Sequence, residues 1–106
     1  MQPIQRLTAA TVLVLEALLS EPEPVWGLKI AKLTDRAPGS IYPILARLED
    51  SHWVAANWDD DDSRGGPRRR MYSLTDEGAA SAAQVVAAWH ARAVPAPRRS
   101  PRTAQA

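Results

Sequence analysis

The chain has 106 residues, 13 Lys and Arg against 12 Asp and Glu, and no cysteine. This length suits one domain with a modest core, and the lack of cysteine excludes disulfides and thiolate zinc sites and is at ease in a reducing cytoplasm. The net charge of +1 conceals an asymmetry: residues 1–94 carry ten basic and twelve acidic side chains, and residues 95–106 add three arginines with no acid. Any affinity for DNA must therefore come from local placement of charge.

Thr8 is placed to cap a helix running from Ala9 through Leu19, apolar over most of its circumference as a buried helix would be. Glu21-Pro22-Glu23-Pro24 ends it, because prolines remove amide donors and push the preceding residues out of helical geometry. Trp26 to Leu33 reads as a short helix with Trp26, Ile30 and Leu33 on its apolar stripe and Lys29 and Lys32 off it. A tight turn over residues 34–37 follows. Pro38 suits the first position of the next helix, which needs no amide there. That helix puts Ile41, Leu45 and Leu48 on one side with Ile44 adjoining, and Ser40, Pro43 and Arg47 on or near the other. Two short helices joined by a four-residue turn make a helix-turn-helix.

Trp53 to Trp58 and Arg70 to Leu74 read as the two strands of a hairpin, with residues 59–69 as its loop. The loop carries Gly65-Gly66-Pro67 followed by Arg68, Arg69 and Arg70, a basic tip entering a strand. Thr75 caps a last helix from Asp76 to about Ala93, whose first turn holds Asp76 and Glu77 where the helix dipole favours acids. The Pro- and Arg-rich residues 95–106 cannot bury a core and are expected to be a disordered tail. The fold class expected is mainly α with a small β-hairpin wing, a winged helix-turn-helix domain over residues 1–94.

Four pieces of the chain give it a closer likeness. They are Trp26-Gly27-Leu28-Lys29-Ile30-Ala31-Lys32, Gly39-Ser40-Ile41-Tyr42-Pro43-Ile44-Leu45-Ala46-Arg47-Leu48-Glu49, Gly65-Gly66-Pro67-Arg68-Arg69-Arg70-Met71-Tyr72, and Leu74-Thr75-Asp76-Glu77-Gly78. Over about residues 7–90 the sequence resembles the PadR-like family of bacterial transcription regulators. The resemblance implies a sequence-specific DNA-binding regulator, a repressor acting as a homodimer on an inverted repeat and relieved by a small hydrophobic effector or a stress signal. It implies that Tyr42 faces the DNA backbone. It also makes the helix over residues 76–93, with the first helix, a dimerisation element in which aromatic side chains of some members line a site for flat hydrophobic ligands. Two departures stand out: His52-Trp53 occupies the place where the family often has a glycine, and the last helix ends early.

DNA recognition needs donors to phosphate, contacts to base edges, and a scaffold that keeps them in register. The candidates are Lys29, Lys32 and Arg36 beside the first helix of the motif; Gly39, Ser40, Tyr42, Pro43 and Arg47 on the second; and Arg64, Arg68, Arg69 and Arg70 in the wing. Each has a plainer alternative. Tyr42 packs on the neighbouring helix, the lysines and Arg36 form a solvated face, and Arg47 pairs with Glu49 or Asp50. Only one or two of the three consecutive arginines can face a minor groove at once. Trp26, Trp53 and Trp58 are expected in the core and at the base of the wing, and Val85, Val86 and Trp89 at a dimer or ligand surface.

Other classes of function find little here. His52 and His90 lack spaced partners for a metal, and the Asp59-Asp60-Asp61-Asp62 run lacks the spacing of a calcium loop, so it reads as a solvated loop. No histidine is paired with a nucleophile and no phosphate loop is present, so neither an enzyme nor a cofactor is expected. No apolar run approaches the ~20 residues of a membrane span, and the expected location is the bacterial cytoplasm, on the nucleoid when bound to double-stranded DNA. The alternative from another class is a winged-helix protein-interaction module that does not bind specific DNA.

Overall fold

Side chains at the helix ends set the boundaries. The computed structural model describes residues 3–4, 7–59 and 69–93. Within them the order is α1 (Ala9–Ser20), β1 (Val25–Trp26), α2 (Gly27–Thr34), α3 (Pro38–Asp50), β2 (Val54–Trp58), β3 (Arg70–Leu74) and α4 (Asp76–Ala93). The Thr8 hydroxyl accepts the Thr11 amide at 3.2 Å and starts α1, and Thr75 Oγ1 accepts the Gly78 amide at 2.9 Å and starts α4. Pro38 lies in the first turn of α3 as its missing amide predicts. The expected tail and the wing loop over residues 60–68 lie outside the described residues.

Two helices end alike. Asp35 (φ 56) and His52 (φ 66) both take the left-handed conformation. In each case the next residue's amide reaches back to a carbonyl of the last turn: Arg36 to Ala31 at 3.0 Å and Trp53 to Leu48 at 2.9 Å. This is the Schellman termination, and the buried Trp53 and Leu48 supply its apolar contact. Asp and His enter the left-handed region more readily than most side chains, but glycine enters it without a Cβ penalty. A His52→Gly variant is therefore expected to gain about 0.5–1 kcal/mol, the relieved strain exceeding the extra freedom of the unfolded glycine. A urea midpoint unchanged or lowered would count against strain at this position.

Core residues come from every helix and from the sheet. Leu15 of α1, Ile30 of α2, and Ile41 and Leu45 of α3 are fully buried, with Leu48, Trp53, Val54, Tyr72 and Ala82 closing around them. The sheet is antiparallel in the order β1-β3-β2, with Val25 opposite Tyr72, Ala56 opposite Tyr72 on the other side, and Trp58 opposite Arg70. The hairpin strands match expectation to within a residue. The third strand, β1, does not appear in the sequence reading, and Trp26 belongs to it rather than to the helix.

The stripe of α2 also differs. Its buried positions are Gly27, Ile30, Ala31 and Thr34, so Leu33 is 48% exposed and Thr34 sits inside the helix, not in the turn. Thr34 is tolerated in the interior because its hydroxyl donates to the Ile30 carbonyl at 2.9 Å. Trp58, expected to fill the core or the wing base, is 55% exposed; it is the last residue of β2, along which burial falls away from Val54 to Trp58.

Candidate nucleic-acid interface

Helix α3 buries Ile41, Ile44, Leu45 and Leu48 and leaves Gly39, Ser40, Tyr42, Pro43, Ala46 and Arg47 exposed. These exposed positions follow from the 3.6-residue period: with the aliphatic residues on the core side, the small and polar ones must face outward. The N-terminus of α3 is open. Ala37 precedes it and no side chain caps it, and Pro38 has no amide to offer. Helix α2 is likewise uncapped, Trp26 making no side-chain cap bond. Helices α1 and α4 each have a threonine cap. In α3 the Ser40 amide is taken by the Ala37 carbonyl at 2.9 Å, so what the two uncapped helices of the helix-turn-helix offer an outside acceptor such as phosphate is chiefly the positive dipole end, with the Gly39 amide at the start of α3. Among the described residues no atom of another segment lies within 4 Å of where a Cβ on Gly39 would stand, so none of them requires glycine at this exposed first-turn position.

Tyr42 combines both expectations. It is 40% exposed, yet its ring edge and hydroxyl occupy the space where a Cβ on Gly27 would be. Gly27 is the seat that lets the hydroxyl end of the ring lie against α2. Lys32, Arg36 and Arg47 are exposed and make no ion pair with any described residue. The alternative pairing of Arg47 with Glu49 or Asp50 is not formed. Lys29 differs from its neighbours, because its ammonium donates to Glu21 Oε1 at 3.1 Å. The Lys29 side chain is 48% exposed, so that link is weak and gives way readily to a phosphate.

The wing arginines divide. Arg64 and Arg68 lie outside the described residues. Arg69 stacks over the Trp26 ring with its guanidinium carbon 3.3 Å from the centroid. Arg70 turns to the other side of β3, as strand alternation requires. There its Nη2 donates to Glu49 Oε2 at 2.7 Å, and its guanidinium lies 5.4 Å from the Trp58 ring centroid. Nearby, burial pushes the Tyr72 hydroxyl above its usual range, an effect that Arg70 partly opposes by its charge and a hydrogen bond. Neither residue stands free at the wing root. The sequence could not show this, since the partners come from β1 and α3.

On the far side of the molecule α4 packs along α1. Val85 and Val86 rest against the core, Trp89 is half-buried beyond them, and His90 Nε2 lies 2.6 Å from Glu16 Oε2 on α1. No group of three His, Cys, Asp or Glu among the described residues is arranged to hold a metal. None of the described helices is long and apolar enough to cross a membrane.

A recognition helix presented by a second short helix and flanked by a hairpin defines a winged helix-turn-helix protein. The sequence pattern of the transcriptional regulator PadR-like family matches residues 14–84. The chain belongs to that family, whose members are DNA-binding transcription regulators and not enzymes. Solved structures give the same fold. A PadR family regulator from Clostridium difficile R20291 is 23% identical with a TM-score of 0.67, over 80% of this chain and 91% of that one. The Streptomyces coelicolor regulator PcaV, in complex with its natural ligand, is 24% identical at TM-score 0.68, over 83% of this chain. A mutant of Lactococcus lactis ZitR is 20% identical at TM-score 0.65, over 87% of this chain. This chain spans 58% of the length of both ZitR and PcaV. None of the curated proteins matches it.

Proposed function

We propose that the protein is a homodimeric repressor that binds an inverted-repeat operator through one α3 per half-site and is released by a small hydrophobic effector or a stress signal. The observation that carries the DNA-reading part is the outward face of α3: an uncapped N-terminus, Gly39 with open space around it, then Ser40, Tyr42, Pro43 and Arg47 exposed in register. Lys32 and Arg36 flank it as phosphate donors, with Lys29 after it leaves Glu21. The wing adds Arg64 and Arg68. Dimerisation is assigned to α4 with α1, where Trp89 remains half-exposed beside Val85 and Val86. The bound ligand of PcaV is the precedent for an effector, and the half-exposed Trp89 is where an aromatic one would stack. The protein would act in the bacterial cytoplasm, on the nucleoid.

Selection from a pool of random duplex DNA tests this reading. Enrichment of a twofold-symmetric motif with half-sites about 10 bp apart is expected; no enriched motif over a basic competitor would refute it. Sedimentation at micromolar concentration should give twice the chain mass. Gly39→Ala adds a sharper check, because the two effects have opposite signs. Alanine in an exposed helical turn with open space should stabilise the free protein by about 0.5–1 kcal/mol, while its methyl weakens binding to the selected duplex. Equal affinity in the two proteins would remove Gly39 from the interface.

A further inference from the structure

Arg70 lies in the most basic stretch of the chain, yet its side chain is engaged by two neighbouring elements at once. Glu49 of α3 takes one nitrogen at 2.7 Å, and the Trp58 ring of β2 lies beside the guanidinium, 5.4 Å to its centroid. Glu49 and Tyr42 are seven residues apart on α3 and so lie on one edge of that helix, two turns from each other. The edge that seats Tyr42 against Gly27 is therefore the edge that Arg70 holds. On the opposite face of β3, Arg69 over Trp26 ties the same strand to β1. The root of the wing is thus gripped on both faces by consecutive arginines.

We propose that Glu49 and Arg70 form a positioning pair that sets the angle of the wing to the recognition helix, so that Arg70 serves DNA binding without touching DNA. This inference rests on the operator-reading function above. Two readers on separate elements can bind one duplex together only if their separation matches the step from major to minor groove. A hinge at the base of a two-stranded wing would spread that separation over many values, and binding would have to select one of them. An arginine fork suits this use because its planar donors fix direction as well as distance. An acid facing this arginine is otherwise costly to a DNA-binding surface, since it repels phosphate.

The negative charge of Glu49 allows a test by sign. The probe is the duplex recovered by selection, labelled for fluorescence anisotropy and titrated with wild type, Glu49→Gln, Arg70→Gln and the double variant across a KCl series. If Arg70 contacts phosphate, Glu49→Gln frees it and removes a negative charge, so binding stays level or tightens, and Arg70→Gln lowers the salt slope by about one. On the positioning account, both single variants weaken binding about tenfold with the slope unchanged, and the double variant is no worse than either single one. Thermal melting accompanies each titration. Variants that melt well above the assay temperature yet bind as tightly as wild type would overturn the positioning role. Wild-type protein that enriches no motif would instead overturn the operator reading, so the two failures are distinct.

Discussion

Gly78→Ala is expected to destabilise the protein by about 3 kcal/mol, lowering the melting temperature by on the order of 15 °C. In an ordinary helix the same change helps, by up to about 1 kcal/mol. Here the sign reverses because a Cβ on the buried Gly78 would overlap the carbonyl group of Trp53. That carbonyl cannot step aside. It accepts the Thr75 amide at 3.0 Å, and the Thr75 hydroxyl, which caps α4 through Gly78, donates to the His52 carbonyl at 3.0 Å with Trp53's a little farther off. The Trp53 amide is tied in turn to Leu48. Backbone is held on both sides, so α4 itself must move, and Ala82, Val85 and Val86 would withdraw from the core. Threonine at the cap has a matching reason: its hydroxyl accepts from one backbone and donates to another, which an aspartate cannot do. A melting temperature equal to wild type for Gly78→Ala would show that α4 has room the geometry does not display.

Gly27→Ala should have the opposite profile, with little change in stability and a loss of DNA affinity between about tenfold and a hundredfold. The atoms nearest its Cβ all belong to the far end of the Tyr42 side chain. That ring is exposed and can swing away, and alanine is the better helix former. The fold therefore survives, while Tyr42 leaves the orientation proposed for its contact with the DNA backbone. Melting and anisotropy on the same sample separate the two effects. If Gly27→Ala binds the selected duplex as wild type does, the seat under Tyr42 has no part in recognition. Comparing it with Tyr42→Phe would show whether the hydroxyl or the ring position matters.

The α elements were legible because their ends are written in local chemistry. Thr8 and Thr75 cap, the Glu-Pro repeat stops α1, and Pro38 starts α3, each through bonds within a few residues. The strands Val54–Trp58 and Arg70–Leu74 were legible for a similar reason, as β-forming residues flanking a turn-rich loop. The exposed face of α3 followed from helical period alone. Strand β1 was not legible: two residues after a proline become a strand only by pairing with Met71 and Tyr72. Leu33 and Trp58 were misplaced because apolar character says a residue can be buried, not that something is there to cover it.

What the sequence by itself determined was the family, the order of its elements and which residues face out of the recognition helix. Those depend on short-range spacing and on motifs that span contiguous residues. Tertiary structure alone decided how the arginines and glycines are used. Alternation along β3 says that Arg69 and Arg70 point to opposite faces, but only the docking of β1 and α3 puts Trp26 under one and Glu49 beside the other. Gly27 and Gly78 are likewise ordinary glycines in the sequence, and what each must leave room for, a tyrosine ring and a tryptophan carbonyl, comes from residues 15 and 25 positions away. The physical reason is the same in both cases: contact between distant segments is set by how the helices and sheet pack around one core, a property of the whole chain that no local pattern carries.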